Sequence, residues 1–458
     1  MVNRSPFEEE VLSRIRPGRE ERAHIREVAE SLVGAVNRSG KARGMVVGSV
    51  ARDTWISGDR DLDIFMLFDP SLPREVLEAD GLALGRAVAK EFGSSYREKY
   101  AEHPYINAQI DGLDVDLVPC YAVTSATTIQ SAVDRTPFHT RYIQCRLADL
   151  TDDILLLKQF TKCGGVYGSD QMTAGFSGYL CELLVLNYGG FLPLLEAASG
   201  WRPGTVIDLE DHRTRDFPEP LVVVDPVDPG RNVAASLSLT RMYEFVELAR
   251  GYLNHPLPAF FLPPAGIPFG RDDLVNELRL RGTMLYAIEF ATPPYIEDIV
   301  VPQLRKSLDA IRGLLERHGF VVNRTDCCML PDTCTLLYEL LVDEVPPVVR
   351  HPGPPLWAAE NAQKFFMKYR SAESQVFCGP FIDEGSYYVE ISRKFLAAGD
   401  LLASDEILGV ALGKHVKGAL ASSFGLKSGE ECWRSELSGF LAGFFRKSSP
   451  LLRIQKDV

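Results

Sequence analysis

Asp61 and Asp63 stand one apolar residue apart and run straight into Ile64-Phe65-Met66-Leu67-Phe68, inside the stretch GSVARDTWISGDRDLDIFMLF (48 to 68). Alternate residues of an extended strand share a face, so the two carboxylates project together, roughly 7 Å apart along the backbone, while Leu62 and Ile64 turn toward a core. Further on, Asp114 and Asp116 share a face amid Val115, Leu117 and Val118. If the two strands are neighbours, Asp61, Asp63 and Asp116 converge on one open edge of a sheet. Such a cluster repels itself unless cations neutralise it. A pair of Mg2+ ions is the natural occupant, because Mg2+ takes oxygen ligands in octahedral geometry. Two ions about 4 Å apart activate an attacking hydroxyl and stabilise the leaving oxygen of a phosphoryl transfer. Gly48-Ser49, ahead of a helix start, offers N–H groups and a hydroxyl to an anion, and Arg52 adds a positive charge on the same turn. A lone DxD is usually a solvent-facing pair. The glycine-serine turn, the order along the chain and the second acidic strand select the catalytic reading.

The elements that must position these residues alternate along the first third of the chain. FEEEVLSRIRPG and REERAHIREVAESLVGAVNRSG carry charged and apolar residues at three-four spacing, as helices do. MVV (45 to 47) is a short strand before the Gly48-Ser49 turn, VARDTW opens a helix, DLDIFMLF is a strand, and PREVLEADGLALGRAVAKEF is an amphipathic helix. YINAQIDGLDVDLVPCY (105 to 121) reads as two strands around Asp111-Gly112, a strong hairpin signal. The result is an α/β unit with an antiparallel or mixed sheet. Residues 147 to 200 are mostly helical. FPEPLVVVDPVDPGRN reads as proline-rich punctuation, and the dense prolines of NHPLPAFFLPPAGIPFG (254 to 270) mark a boundary before the last domain. Beyond it TMLYAIEFAT alternates like a strand, and Leu304, Leu308, Ile311 and Leu315 share one helix face. FVVN, CTLLYELLV and SYYVEISRKF supply further strands. The expected fold is therefore a multidomain α/β (α+β) chain: an α/β region at 1–146, a mainly helical region at 147–264, and a second α/β region at 265–458.

A chain of 458 residues has room for two to four domains with real cores, and 46% hydrophobic with 24% charged residues fits a soluble globular protein. The N-terminus is charged at once, with no apolar stretch of the kind a signal peptide needs. FSGYLCELLVLNYGGFLPLL (176 to 195) is broken by Glu182, Asn187 and a glycine pair, so it reads as a core helix rather than a membrane span. Nine cysteines at irregular spacings form no disulfide framework. Cys327, Cys328 and Cys334 cluster without the CxxC pair or neighbouring His of a zinc site. Reduced, structural thiols in a cytoplasmic protein are expected. A net charge of −13 argues against a protein that coats nucleic acid non-specifically and leaves room for local basic surfaces. RKSSPLLRIQK, with Arg446, Lys447, Arg453 and Lys456, is one. ENAQKFFMKYR (360 to 370), with Lys364, Lys368 and Arg370 beside Phe365, Phe366 and Tyr369, is another. Both are suited to neutralise RNA phosphates and stack on bases, although each taken alone is an ordinary solvated helix face.

The GS turn, the DxD and a third Asp on a later strand resemble the nucleotidyltransferase superfamily that includes DNA polymerase β and poly(A) polymerases. More specifically, GSVARDTWISGDRDLDIFMLF, YAEHPYI, VDLVPCY, SAVDRTPFH, GFSGYLCELL and VVDPVDPGRNVAASLS resemble the archaeal class I CCA-adding enzymes, which are tRNA nucleotidyltransferases. The matches run from about residue 40 to 245, with weaker ones such as SYYVEISRKF in the last domain. The resemblance implies a polymerase β-like catalytic head at 1–146, a helical neck at 147–264 contacting the nucleotide, and a C-terminal body and tail at 265–458 gripping tRNA. It implies template-independent addition of C, C and A to the tRNA 3′ end from CTP and ATP, with pyrophosphate released. Asp61, Asp63 and Asp116 would hold two Mg2+ ions, and the tRNA 3′-hydroxyl would attack the nucleotide α-phosphate, helped by Asp116 on the primer side. Ser49 and Arg52 match nucleotide-binding positions of the GS turn. His139 (in RTPFH), Lys158 (in LLLKQF) and Tyr167 (in VYG) match further nucleotide or triphosphate contacts, and Arg231 (in GRNVAA) matches the Arg that helps read the incoming base with the tRNA end. A homodimer and no membrane association are implied as well.

Two positions depart from the family pattern. Asp61 stands where relatives often carry Glu, and Ala174 stands where a basic residue is expected. Lys158 on an apolar helix requires an anion, and Glu182, equally conspicuous in GYLCELL, reads as a structural partner of a nearby donor and not as a metal ligand. Two rivals share parts of this pattern. One is a poly(A) polymerase or small-molecule nucleotidyltransferase. The other is a noncatalytic RNA-binding relative, against which the intact acidic triad speaks.

Overall fold

The structure is a computed structural model that describes residues 4–100, 102–263, 268–370 and 376–455. The chain divides into two units, Met1–Ala265 with Ser448–Val458, and Gly266–Lys447. The expected boundary at residues 264 and 265 lies outside the described residues.

In the first unit a capping box opens α1 (Pro6–Ile15): Ser5 Oγ accepts from the Glu8 N–H and the Glu8 carboxylate accepts from the Ser5 N–H, which satisfies two donors a helix end otherwise leaves bare. There follow α2 (Arg19–Arg38), β1 (Arg43–Val47), α3 (Gly48–Arg52), β2 (Asp61–Phe68), α4 (Arg74–Glu91), β3 (Tyr96–Tyr100), β4 (Pro104–Ile110) and β5 (Leu113–Tyr121). The sheet order is β1-β2-β5-β4-β3. Only β2 and β5 run parallel, so the sheet is mixed. Asp111 and Gly112, at φ 48° and 79°, supply the tight turn between β4 and β5. α2 and α4 cover one face, packing Ile25, Leu32, Leu84 and Val88 on Leu62, Ile64, Met66 and Phe68. Phe65 and Leu67 face the other way, onto Val47, Val118 and Cys120. β2 is thus buried on both sides beyond Asp63, which is why its alternation stops there. Each such large side chain contributes about 1.5–3 kcal/mol of burial.

Helices α5 (Thr136–Arg146), α6 (Thr151–Gly164), α7 (Gly178–Tyr188) and α8 (Phe191–Ala198) follow, then β6 (Thr205–Ile207), β7 (Leu221–Asp225), β8 (Asp228–Asn232) and α9 (Leu239–Asn254). The apolar stretch 176–195, expected as one core helix, is two helices meeting at 93° across Gly189-Gly190. Among the described residues no single helix is long and apolar enough to cross a membrane; this bent pair passes by length and composition, and Leu180, Leu183, Leu184, Leu194 and Leu195 are buried in the core of the unit. The segment read as proline-rich punctuation is instead a β-hairpin, with Val224 opposite Asn232. Pro229 is tolerated there because β8 is an edge strand, where a missing N–H breaks no ladder. The end of the chain also differs from a continuous region at 265–458: helix Pro450–Gln455 returns to the first unit, where Leu451 and Ile454 join its core. RKSSPLLRIQK is accordingly divided between the units, Arg453 donating to the Gly164 carbonyl, and Lys456 lies outside the described residues.

The second unit contains α10 (Arg271–Arg281), β9 (Met284–Ala291), α11 (Glu297–Arg317), β10 (Val321–Met329), β11 (Thr333–Val342), β12 (Val348–Pro355), α12 (Ala359–Tyr369), β13 (Val376–Asp383), β14 (Ser386–Ser392) and β15 (Gly425–Ser428). Two antiparallel sheets form, β10-β11-β9-β15 and β12-β14-β13. Leu304, Leu308, Ile311 and Leu315 of α11 pack on Ile288, Leu336 and Tyr338, as their spacing requires. The fully buried Glu339 carboxylate is held by Arg281, Thr283, Asn323 and Arg324. ENAQKFFMKYR forms α12, which leaves Phe366 and Met367 exposed and pairs Lys364 with Glu360.

Candidate active site

The parallel register of β2 and β5 sets Asp61 beside Asp114 and Asp63 beside Asp116. The strands are neighbours, as the acidic pattern needs, but they are interior strands, so the carboxylates stand on a face of the sheet rather than at its edge. Asp63 reaches over the start of α3: a methyl group on Gly48 would lie 2.1 Å from Asp63 Oδ2. Gly48 also has φ +73°, a backbone conformation that side chains disfavour. Ser49, next in α3, is half-buried beside it. Asn107, directly opposite Asp116 on β4, donates from Nδ2 to Asp116 Oδ1 at 2.6 Å and to Asp114. Lys99 Nζ lies 4.0 Å from Asp116 Oδ1.

Burial pushes the Asp63 carboxyl up to about 6, with repulsion from Asp116 and Asp61 added and the charge of Arg52 opposing. Asp61 and Asp116 are raised too, mainly by burial. The Tyr105 hydroxyl is pushed up to about 12 by burial, the Asp116 and Asp63 charges and its hydrogen bond to Asp116. As placed, no three His, Cys, Asp or Glu side chains are gathered into a ready cation cage among the described residues. The donors nonetheless fit a hard cation: they are all carboxylate oxygens, and their mutual repulsion is what a divalent ion relieves.

Behind this face lies a group of cations. Arg52 and Lys158 are both buried, and both rest on Glu182 of α7, which has no solvent exposure. Lys158 Nζ donates to Glu182 Oε1 at 2.9 Å and to the Thr54 carbonyl at 2.8 Å. Arg52 Nε stands 2.7 Å from Glu182 Oε2. Thr54 Oγ1 donates to the same carboxylate. Burial raises the Glu182 carboxyl, but the charges of Lys158 and Arg52 and the hydrogen bonds from Thr54 and Lys158 outweigh it and leave it below the usual range. The anion that Lys158 requires is therefore Glu182. Tyr167 stands close by, since a methyl on Gly178 would lie 3.0 Å from its hydroxyl and 3.6 Å from Lys158 Nζ.

The remaining candidates meet at the β7–β8 hairpin. His139 Nε2 lies 2.8 Å from Asp225 Oδ2, Arg231 Nη1 donates to the same oxygen at 2.8 Å, and the His139 ring stacks on Tyr179 at 4.2 Å. Burial lowers His139, with the Asp225 hydrogen bond opposing. His139, Tyr179 and Arg231 line a cavity of about 650 Å³ that is also walled by Arg135, Arg215 and Phe217. Arg52 of α3 rests on Glu182 and donates from Nη1 to the hydroxyl of Thr140, the residue after His139, at 3.4 Å, which links the cation group to the hairpin site. Ala174, at the expected basic position, has φ 49°, and its carbonyl accepts from the Ser238 N–H. Sequence reasoning missed Asn107, Thr54, Tyr179 and Asp225. The available signals were an Asn opposite a strand Asp, and an Asp ending a fully buried valine run.

Family models for three segments match in chain order: a nucleotidyltransferase domain at residues 25–139, a tRNA nucleotidyltransferase second domain at 152–262, and a CCA-adding enzyme C-terminal domain at 281–429. The class is thereby defined: the protein is a nucleotidyltransferase. A "CCA-adding enzyme" of Methanoregula boonei is 58% identical over 458 residues, covering 100% of this chain and 99% of its own length. One of Haloarcula marismortui is 44% identical over 434 residues (90% and 92%), and one of Methanosarcina barkeri 41% over 420 residues (90% and 92%). The chain belongs to the CCA-adding enzyme family.

Proposed function

We propose that this enzyme adds C, C and A to the 3′ end of tRNA without a template, using CTP and ATP. The observation that carries the reading is the pairing of Asp63 with Asp116 on parallel strands, with Asp63 against Gly48, in a chain with full-length relatives named CCA-adding enzymes. Residues 1–146 form the catalytic head, 147–264 the neck, and 265–447 the body that grips tRNA, while the last residues return to the first unit. Asp61, Asp63 and Asp116 would hold two Mg2+ ions, which when bound would make the 3′-hydroxyl more acidic and neutralise charge on the reacting phosphates. The 3′-oxygen forms a bond to the α-phosphorus, the bond from that phosphorus to the bridging oxygen breaks, and pyrophosphate leaves. Asp116 takes up the hydroxyl proton, and Asn107 fixes its carboxylate. Ser49 and Arg52 bind the triphosphate, Lys158 contributes its charge from below, and Tyr167 walls the same side. His139 and Arg231, tied together by Asp225, receive the base and the tRNA end. The family resemblance adds a homodimer and a cytoplasmic setting.

The deciding assay offers labelled CTP and ATP to tRNA lacking its CCA end. Ordered addition that stops after one A is the expected result. Runs of AMP added to any RNA, or modification of a small molecule without tRNA, would establish one of the rivals instead.

A second expectation concerns proton linkage. The folded Asp63 carboxyl titrates near 6, above its usual 3.8, so the folded state holds that proton longer than the unfolded one. Cation-free protein therefore loses stability as pH rises from about 4 to about 6, by roughly 3 kcal/mol from this group. Added Mg2+ should raise the melting temperature strongly at pH 8 and little at pH 5. An equal effect at both pH values would remove Asp63 from the cation site.

A further inference from the structure

Glu182 is flanked by the buried side chains Leu180, Cys181, Leu183 and Leu184 and is itself fully buried. Removing a carboxylate from water costs several kcal/mol, and a buried ion pair is often no more stable than apolar residues of equal volume. Stability alone does not account for it. Two cations share this one carboxylate, so one positive charge remains in excess. Every ammonium hydrogen of Lys158 is used, on Glu182, the Thr54 carbonyl and the Thr54 hydroxyl. Arg52 is held differently. Its Nε and Glu182 Oε2 approach to 2.7 Å without hydrogen-bond alignment. Among the described residues, its terminal nitrogens hydrogen-bond only to the Thr140 hydroxyl, at 3.4 Å.

We propose that Glu182 is a positioning residue for nucleotidyl transfer. It anchors Lys158 and Thr54, and pairs with Arg52 at Nε, which leaves the terminal N–H groups of the guanidinium to bind the triphosphate of the incoming nucleotide. This rests on the nucleotidyltransferase reading of the site. Lys158 is the fixed counter-charge: it occupies one oxygen of Glu182 and prevents the carboxylate from cancelling Arg52. The group thereby keeps the net positive charge that a triphosphate requires, and the guanidinium offers paired donors suited to phosphate oxygens.

The test compares the full-length wild type with Glu182→Asp and Glu182→Gln, using tRNA that lacks its CCA end. CTP is varied at fixed tRNA, then tRNA at fixed CTP, and each melting temperature is recorded. Glu182→Asp keeps the charge balance but draws the carboxylate back by one methylene. Its KM for CTP should rise about 10- to 100-fold, the range seen when supporting partners of a site are altered, with the KM for tRNA unchanged. Glu182→Gln should move in the same direction; if it does not fold, Glu182→Asp decides. An unchanged KM for CTP in Glu182→Asp, or equal rises for CTP and tRNA, would overturn the proposal and leave Glu182 a packing residue. If the wild type itself adds nothing to tRNA, the functional reading fails separately. Calorimetric binding of inorganic tripolyphosphate, weaker in Glu182→Asp than in the wild type, then still tests the anion site.

Discussion

Asp63→Asn should lose nucleotidyl transfer while making the cation-free protein more stable, and one cause produces both effects. The carboxylate is buried beside Asp116 and near Asp61, where burial and repulsion hold it up at about 6. Neutral pH therefore forces a charge into a place that resists it until cations arrive. Asparagine removes that charge and keeps the shape. A cation site deprived of a ligand shared with the reacting phosphates loses several kcal/mol of transition-state stabilisation, or about 10³-fold or more in kcat/KM. In EDTA at pH 8 the melting temperature should rise, and the rise with Mg2+ seen in the wild type should shrink. Single-turnover transfer of labelled CMP and calorimetry measure the two halves. Asp116→Ala should abolish transfer in the same way. Near-normal turnover in either variant would refute the two-metal assignment.

Gly48→Ala should be nearly as damaging, although it removes no functional group. The added methyl would stand 2.1 Å from Asp63 Oδ2, far inside contact distance, so the carboxylate must swing away or α3 must shift with Ser49 and Arg52. A displacement of about 1 Å in a catalytic constellation costs on the order of 10²-fold in rate. Positive φ at residue 48 adds a backbone penalty of about 1–2 kcal/mol for any residue with a Cβ. Both effects appear together: kcat for CMP transfer falls on the order of 10²-fold, and the melting temperature drops. A fully active Gly48→Ala protein would mean that Asp63 does not work from the position it occupies over α3.

Some of this was legible in the residues alone, and the division has a physical basis. Strand β2, the Asp111-Gly112 turn and the α11 stripe were readable because they depend on short-range periodicity and turn chemistry. The same held for the types of site residue: two carboxylates on one strand face, a third in a like pattern, and a lysine in an apolar helix that had to find an anion. What the lysine found was decided only by folding. Glu182 answers it across one helix pairing and is shared with Arg52. The β7–β8 hairpin was hidden because its prolines look like breakers, and only the edge position that tolerates them shows it to be sheet. Through it Asp225 joins His139 to Arg231. The return of Pro450–Gln455 to the first core was equally invisible. Local sequence determines which face each side chain takes within its own element. The partner of that face, such as Asp116 beside Asp63, is chosen by long-range burial and strand register, which no short window of sequence contains.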